Sequence, residues 1–119
     1  MKSSAQSGDR ADPALSQAID RLWVRFLPEI KERVAILEGA ASAVAAKNLT
    51  ASRREAAESA AHKLAGVLGT FSLTRGTVLA RELELTFSRE SAPAASLGKH
   101  LTRIAAELRT IVESRSSAH

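Results

Sequence analysis

The sequence predicts an all-α protein: an antiparallel four-helix bundle with a short additional helix at its N-terminal end. Three observations predict it. Apolar residues make up 45% of the 119 residues but aromatic residues only 3%, and Ala and Leu, both strong helix formers, supply most of the rest. Apolar side chains recur at steps of three and four along most of the chain. No stretch alternates with the period of a strand, and no Gly-rich phosphate loop or internal repeat appears.

Residues 1–12 are rich in Ser and charge, lack the apolar centre of a signal peptide, and are expected to form a disordered tail. Asp12 followed by Pro13 reads as an N-cap and first helical position. Leu15, Ile19, Leu22, Trp23 and Phe26 then describe a short first helix, with Trp23 and Phe26 packing it on the bundle. Pro28 should kink the chain or open a new helix, because its nitrogen carries no hydrogen. Beyond it Ile30, Val34, Leu37, Ala41 and Val44 form the seam of a second helix running to about Lys47.

Thr50 is placed to cap a third helix that continues to Leu68, where Gly69 supports a stop. Leu73 to Gly76 is a short connection, and Val78, Leu79, Leu83 and Thr86 mark a fourth helix ending near Arg89. Ser91 to Pro93 breaks the pattern before Leu97, Leu101, Ile104, Leu108 and Ile111 give a fifth. Residues 114–119 are expected to fray. Five helices with short connections, four of them long, fit one bundle domain over 13–113.

Composition narrows the function classes. With zero cysteines there is no disulfide framework, thiol nucleophile or thiolate metal site. No apolar run approaches the roughly 20 residues that cross a bilayer, so a soluble cytoplasmic monomer is expected, without membrane contact. The formal charge is +4, but the basic residues are scattered and interleaved with Glu, which argues against nucleic-acid binding. The three histidines are dispersed and without ligand spacing, so no metal site is expected.

The stretch that carries chemistry is Ala60-Ala61-His62-Lys63-Leu64-Ala65-Gly66-Val67-Leu68-Gly69-Thr70-Phe71. With His62 at zero on a helical wheel, Val67, Ala60, Phe71, Leu64, Ala57 and Leu68 fall between about 140° and 240°. Glu55, Glu58, Ser59, Gly66 and Gly69 fall within about 60° of His62. The histidine therefore stands opposite the apolar arc. Glycine inside an exposed helix costs about 1 kcal/mol relative to alanine, yet Gly66 and Gly69 sit one and two turns beyond His62 on the same face. Together they clear ground for another protein's surface to approach the ring.

A neutral imidazole offers one nitrogen lone pair and is a competent nucleophile toward an activated phosphoryl group. The ring nitrogen remote from the helix is the expected acceptor, and Lys63 is long enough to swing toward a phosphate there. Pairing along the helix accounts for Glu58 equally well, so Glu55 and Glu58 are left out of the site. His100 lies beside Leu97, Leu101 and Ile104 as a helix-boundary residue, and His119 is in the tail.

His62-Lys63-Leu64-Ala65-Gly66, followed by Gly69-Thr70-Phe71, resembles the phosphorylation-site helix of histidine phosphotransfer (HPt) domains of bacterial phosphorelays. The chain departs from that pattern at Ala65, where the family more often has lysine, and carries Lys63 directly after the histidine instead. The resemblance implies a phosphoryl carrier without kinase activity of its own. It implies reversible exchange between His62 and an aspartate in the receiver domain of a response regulator or hybrid histidine kinase. It implies no cofactor on this chain, with Mg²⁺ held by the partner receiver. A second function class stays open: a helical adaptor that docks a receiver without taking phosphate.

Overall fold

The computed structural model describes residues 12–117, and within them every regular element is helical. Helix α1 spans Pro13–Ala45, α2 Ala51–Thr70, α3 Thr74–Phe87 and α4 Gly98–Ser117, with a single 3₁₀ turn at Ala95–Leu97. Each helix lies antiparallel to the next. The pairs His62 with Glu84 and Arg54 with the Phe87 carbonyl join α2 to α3, and Arg75 with Glu107 and Glu82 with His100 join α3 to α4. Trp23 with Ser116 and Arg109 with Glu38 close the ring between α4 and α1.

The all-α bundle stands, but the separate N-terminal helix does not: the segments on either side of Pro28 are one helix of 33 residues. Pro28 lies on the exposed face, where the carbonyl it leaves unpaired can bond to water. Trp23 and Ile30, both fully buried, hold the helix to the bundle on either side of it. Packing thus outweighs the roughly 3 kcal/mol cost of an interior proline. Of the expected first-helix core only Trp23 is buried; Leu15, Ile19, Leu22 and Phe26 remain exposed. They sit on a second stripe that stays exposed among the described residues, with Phe26 at the edge of the α1–α2 groove.

Helix ends depart from expectation in two places. Gly69 does not stop α2. The left-handed position is taken by Ser72 (φ 60°), and the Leu73 amide reaches back to the Leu68 carbonyl at 2.9 Å while the Ser72 amide reaches Gly69 at 3.0 Å. This double bond pattern satisfies the last carbonyls of the helix. Lys47 (φ 61°) ends α1 in the same way, with the Asn48 amide on Ala43. At the other end of the chain, α4 does not fray from 114. It continues through Ser117, since Ser116 accepts the Trp23 indole N–H at 3.0 Å and Arg115 lies 5.2 Å over its ring. The expected tail at 1–11 and residues 118–119 lie outside the described residues.

The core is built from Leu, Ala, Ile and Val with two large aromatics, Trp23 and Phe87. On α3 the buried stripe is Leu79, Ala80, Leu83 and Phe87 rather than Val78 and Thr86, and on α4 Val112 is fully buried while Ile111 packs half-buried against the core. Small residues set the closest approaches. A Cβ on Gly98 would lie 2.6 Å from the Cβ and 2.7 Å from the Cα of Ala45, so the start of α4 touches the end of α1 backbone to backbone.

Around this core run cross-helix ion pairs. Arg109 grips Glu38 through Nε and Nη2 at 2.6 and 2.7 Å. Those hydrogen bonds, with the guanidinium's charge, hold the Glu38 carboxyl below its ordinary value of 4.5 against the opposing effect of burial. A depressed carboxylate stabilises the fold above its unfolded pKa and ceases to do so as pH falls through the folded one. Urea midpoints should therefore drop below about pH 4.5, and Glu38→Gln should drop less steeply over the same range. Identical slopes for the two proteins would show that the pair contributes nothing.

Candidate functional site

Helix α2 starts at Thr50, whose hydroxyl caps the Arg53 amide at 3.1 Å, and presents His62 near its middle. Ala57, Ala60, Ala61, Leu64, Ala65 and Leu68 are its buried residues. The apolar arc thus extends further toward α3 than the sequence wheel suggests, and takes in Ala65, which is 1% exposed. A lysine at that position would have its stem packed beneath α3. His62 itself is outside the arc, with 68% of its side chain exposed.

The histidine is not free. Its Nδ1 lies 2.8 Å from Oε2 of Glu84 on α3. A carboxylate has no hydrogen to give, so in the neutral ring Nδ1 carries the hydrogen and Nε2 carries the lone pair. One edge of the imidazole is tied to the neighbouring helix and the other is turned away from it. Glu84 is only 24% exposed, and its second oxygen lies 3.9 Å from Arg81. Glu84 was not singled out from the sequence, being 22 residues away. Its signal is faint: an acidic residue directly after the core residue Leu83.

Opposite Glu84, between α2 and α1, runs an open groove of about 440 Å³ lined by Phe26, Glu29, Arg33, His62, Lys63, Gly66, Val67 and Thr70. The structure therefore brings His62, Lys63 and Gly66 together. A Cβ added at Gly66 would meet nothing within 4 Å, so no contact inside the protein requires glycine there. Gly69 lies apart from this groove, at the seam with α3, where a Cβ would sit 3.6 Å from the Thr77 hydroxyl. Glu55 and Glu58 are turned to Arg54, each at 3.8 Å, and take no part at the histidine.

The Hpt domain family profile matches residues 21–114, which contain all of this geometry. The chain belongs to the Hpt domain family. Hpt domains are phosphocarrier modules that transfer phosphoryl groups through a histidine in phosphorelays, working with the receiver and kinase components of those systems. The bundle and the exposed, carboxylate-tethered histidine of this Hpt domain suit that chemistry. The chain is also similar to Protein RcaC of Microchaete diplosiphon, at 35% identity over 66 residues. That match covers 56% of this chain and 10% of the relative, so this Hpt domain spans a small part of that protein's length. No solved structure matches it significantly. Among the described residues no helix is long and apolar enough to cross a membrane.

Proposed function

We propose that His62 accepts a phosphoryl group on Nε2 from the phospho-aspartate of a receiver domain and passes it to the receiver domain of a response regulator, in the cytoplasm. The observation that carries this is the bond from Nδ1 to Glu84, which leaves the outward nitrogen as the nucleophile. In the transfer the Nε2 lone pair forms a bond to phosphorus. The phosphorus–oxygen bond to the aspartate breaks, and its electron pair leaves with the carboxylate. The imidazole becomes a cation, which the Glu84 carboxylate stabilises without taking the Nδ1 hydrogen. The reverse sequence delivers the group to the next aspartate. This chain supplies the nucleophile and its orientation; Mg²⁺ belongs on the receiver.

Incubation with a phosphorylated receiver and Mg²⁺ tests the proposal. Label should move to the wild type and not to His62→Gln. Glu84→Ala should slow transfer about tenfold to a hundredfold, by analogy with the loss of the hydrogen-bond partner that orients a metal-ligating histidine. Equal labelling of wild type and His62→Gln would end this reading. Burial of Ala65, which leaves no lysine one turn along, favours the adaptor reading instead; receiver binding without label in the wild type would establish it.

A further inference from the structure

We infer that the phosphoryl group on His62 is held by two cations from different helices, Arg33 of α1 and Lys63 of α2, on the side of the ring away from Glu84. The inference rests on the phosphotransfer reading above and adds to it the residues that would meet the phosphoryl oxygens. The starting point is Ala65: it is buried and uncharged, so the position one turn beyond the histidine supplies no cation. A dianionic group added at an exposed nitrogen calls for compensation from elsewhere.

Among the described residues, the groove toward α1 supplies it. Arg33 and Lys63 line that groove together with His62. Arg81 lies on the other side, engaged at 3.9 Å with the same carboxylate that tethers Nδ1. The Arg33 side chain is 22% exposed, so it is steered rather than loose, yet its closest partner is Glu29 at 3.8 Å, beyond hydrogen-bond distance. Lys63 is exposed and has no ion pair or side-chain hydrogen bond among the described residues. Both cations therefore keep donors to spend. The planar guanidinium can span two phosphoryl oxygens while the ammonium meets the third. Glu29, 62% exposed at the groove's rim, competes for Arg33 in the unphosphorylated form.

The test phosphorylates the full chain with phosphoramidate, a donor small enough to need no docking, and follows the phosphohistidine by phosphorus NMR across pH. Two nearby cations favour the dianion. The second ionisation of the phosphoryl group should therefore occur about half a pH unit lower in the wild type than in the Arg33→Gln, Lys63→Gln double variant. Each single variant should move part of the way, Arg33→Lys should restore most of the shift, and Glu29→Gln should move the ionisation further down. The Lys63→Gln variant changes an exposed side chain and keeps the comparison valid should Arg33→Gln fold poorly. Titration curves that coincide in all these proteins would overturn the inference while leaving phosphotransfer at His62 intact. A wild type that takes no phosphoryl group at His62 would remove both.

Discussion

Gly66→Leu should lose on the order of 100-fold in phosphotransfer from a receiver, while the variant stays folded. The reason is the combination of an open position and a costly residue. Glycine in an exposed helix interior costs about 1 kcal/mol against alanine, and at Gly66 no neighbour lies within 4 Å of an added Cβ. The protein's own packing gives no reason for the glycine. A partner that must bring an aspartate to Nε2 does, because its surface has to come down onto the groove beside the ring. A leucine there leans back over the turn that carries His62 and holds the partner off by more than an ångström.

The prediction has a second arm. Phosphoramidate reaches the ring without docking, so the same variant should be labelled by it at close to the wild-type rate. Loss of labelling from both donors would mean that the substitution damages the histidine rather than the approach to it. Unimpaired transfer from the receiver would remove the case for Gly66 as a docking position.

Trp23→Ala should cost about 3–5 kcal/mol, the range for emptying a buried aromatic site, read as a fall in the urea midpoint at constant slope. Trp23 has no exposed surface. It meets Phe71 edge to face at 5.1 Å, lies beneath Arg115, and donates its indole N–H to Ser116. It thus ties the far ends of α2 and α4 to the middle of α1's N-terminal half. Trp23→Phe keeps most of the apolar contact and loses the hydrogen bond, so it should cost about 1 kcal/mol plus a share of the lost volume. A small effect of Trp23→Ala would show that this end of the bundle contributes little to stability.

The particular residues show what the sequence could and could not convey. Period and propensity sufficed for the helices because core positions such as Ile30, Val34, Leu37 and Leu64 repeat locally. They misjudged Pro28 because its cost is local and its compensation is tertiary. They misplaced the end of α2 because a serine can take the left-handed position that Gly69 was expected to fill. His62 was legible because exposure opposite a core arc is a property of one helix. Glu84 and Arg33 were not, because Glu84 bonds the histidine, and Arg33 lines its groove, from other helices, and only the packing between helices brings them there.

Helix α2 is seated on four alanines, Ala57, Ala60, Ala61 and Ala65, which have no rotamers to change, and on Leu64 and Leu68, which are fully enclosed. A helix bedded on short or fully enclosed side chains resists sliding and rolling, since movement opens a gap or forces a collision along its length. Adding a phosphoryl group at Nε2 would then alter the electric field above the helix and leave its contour in place. A receiver arriving at the loaded or the empty carrier would meet the same relief, and distinguish them by charge.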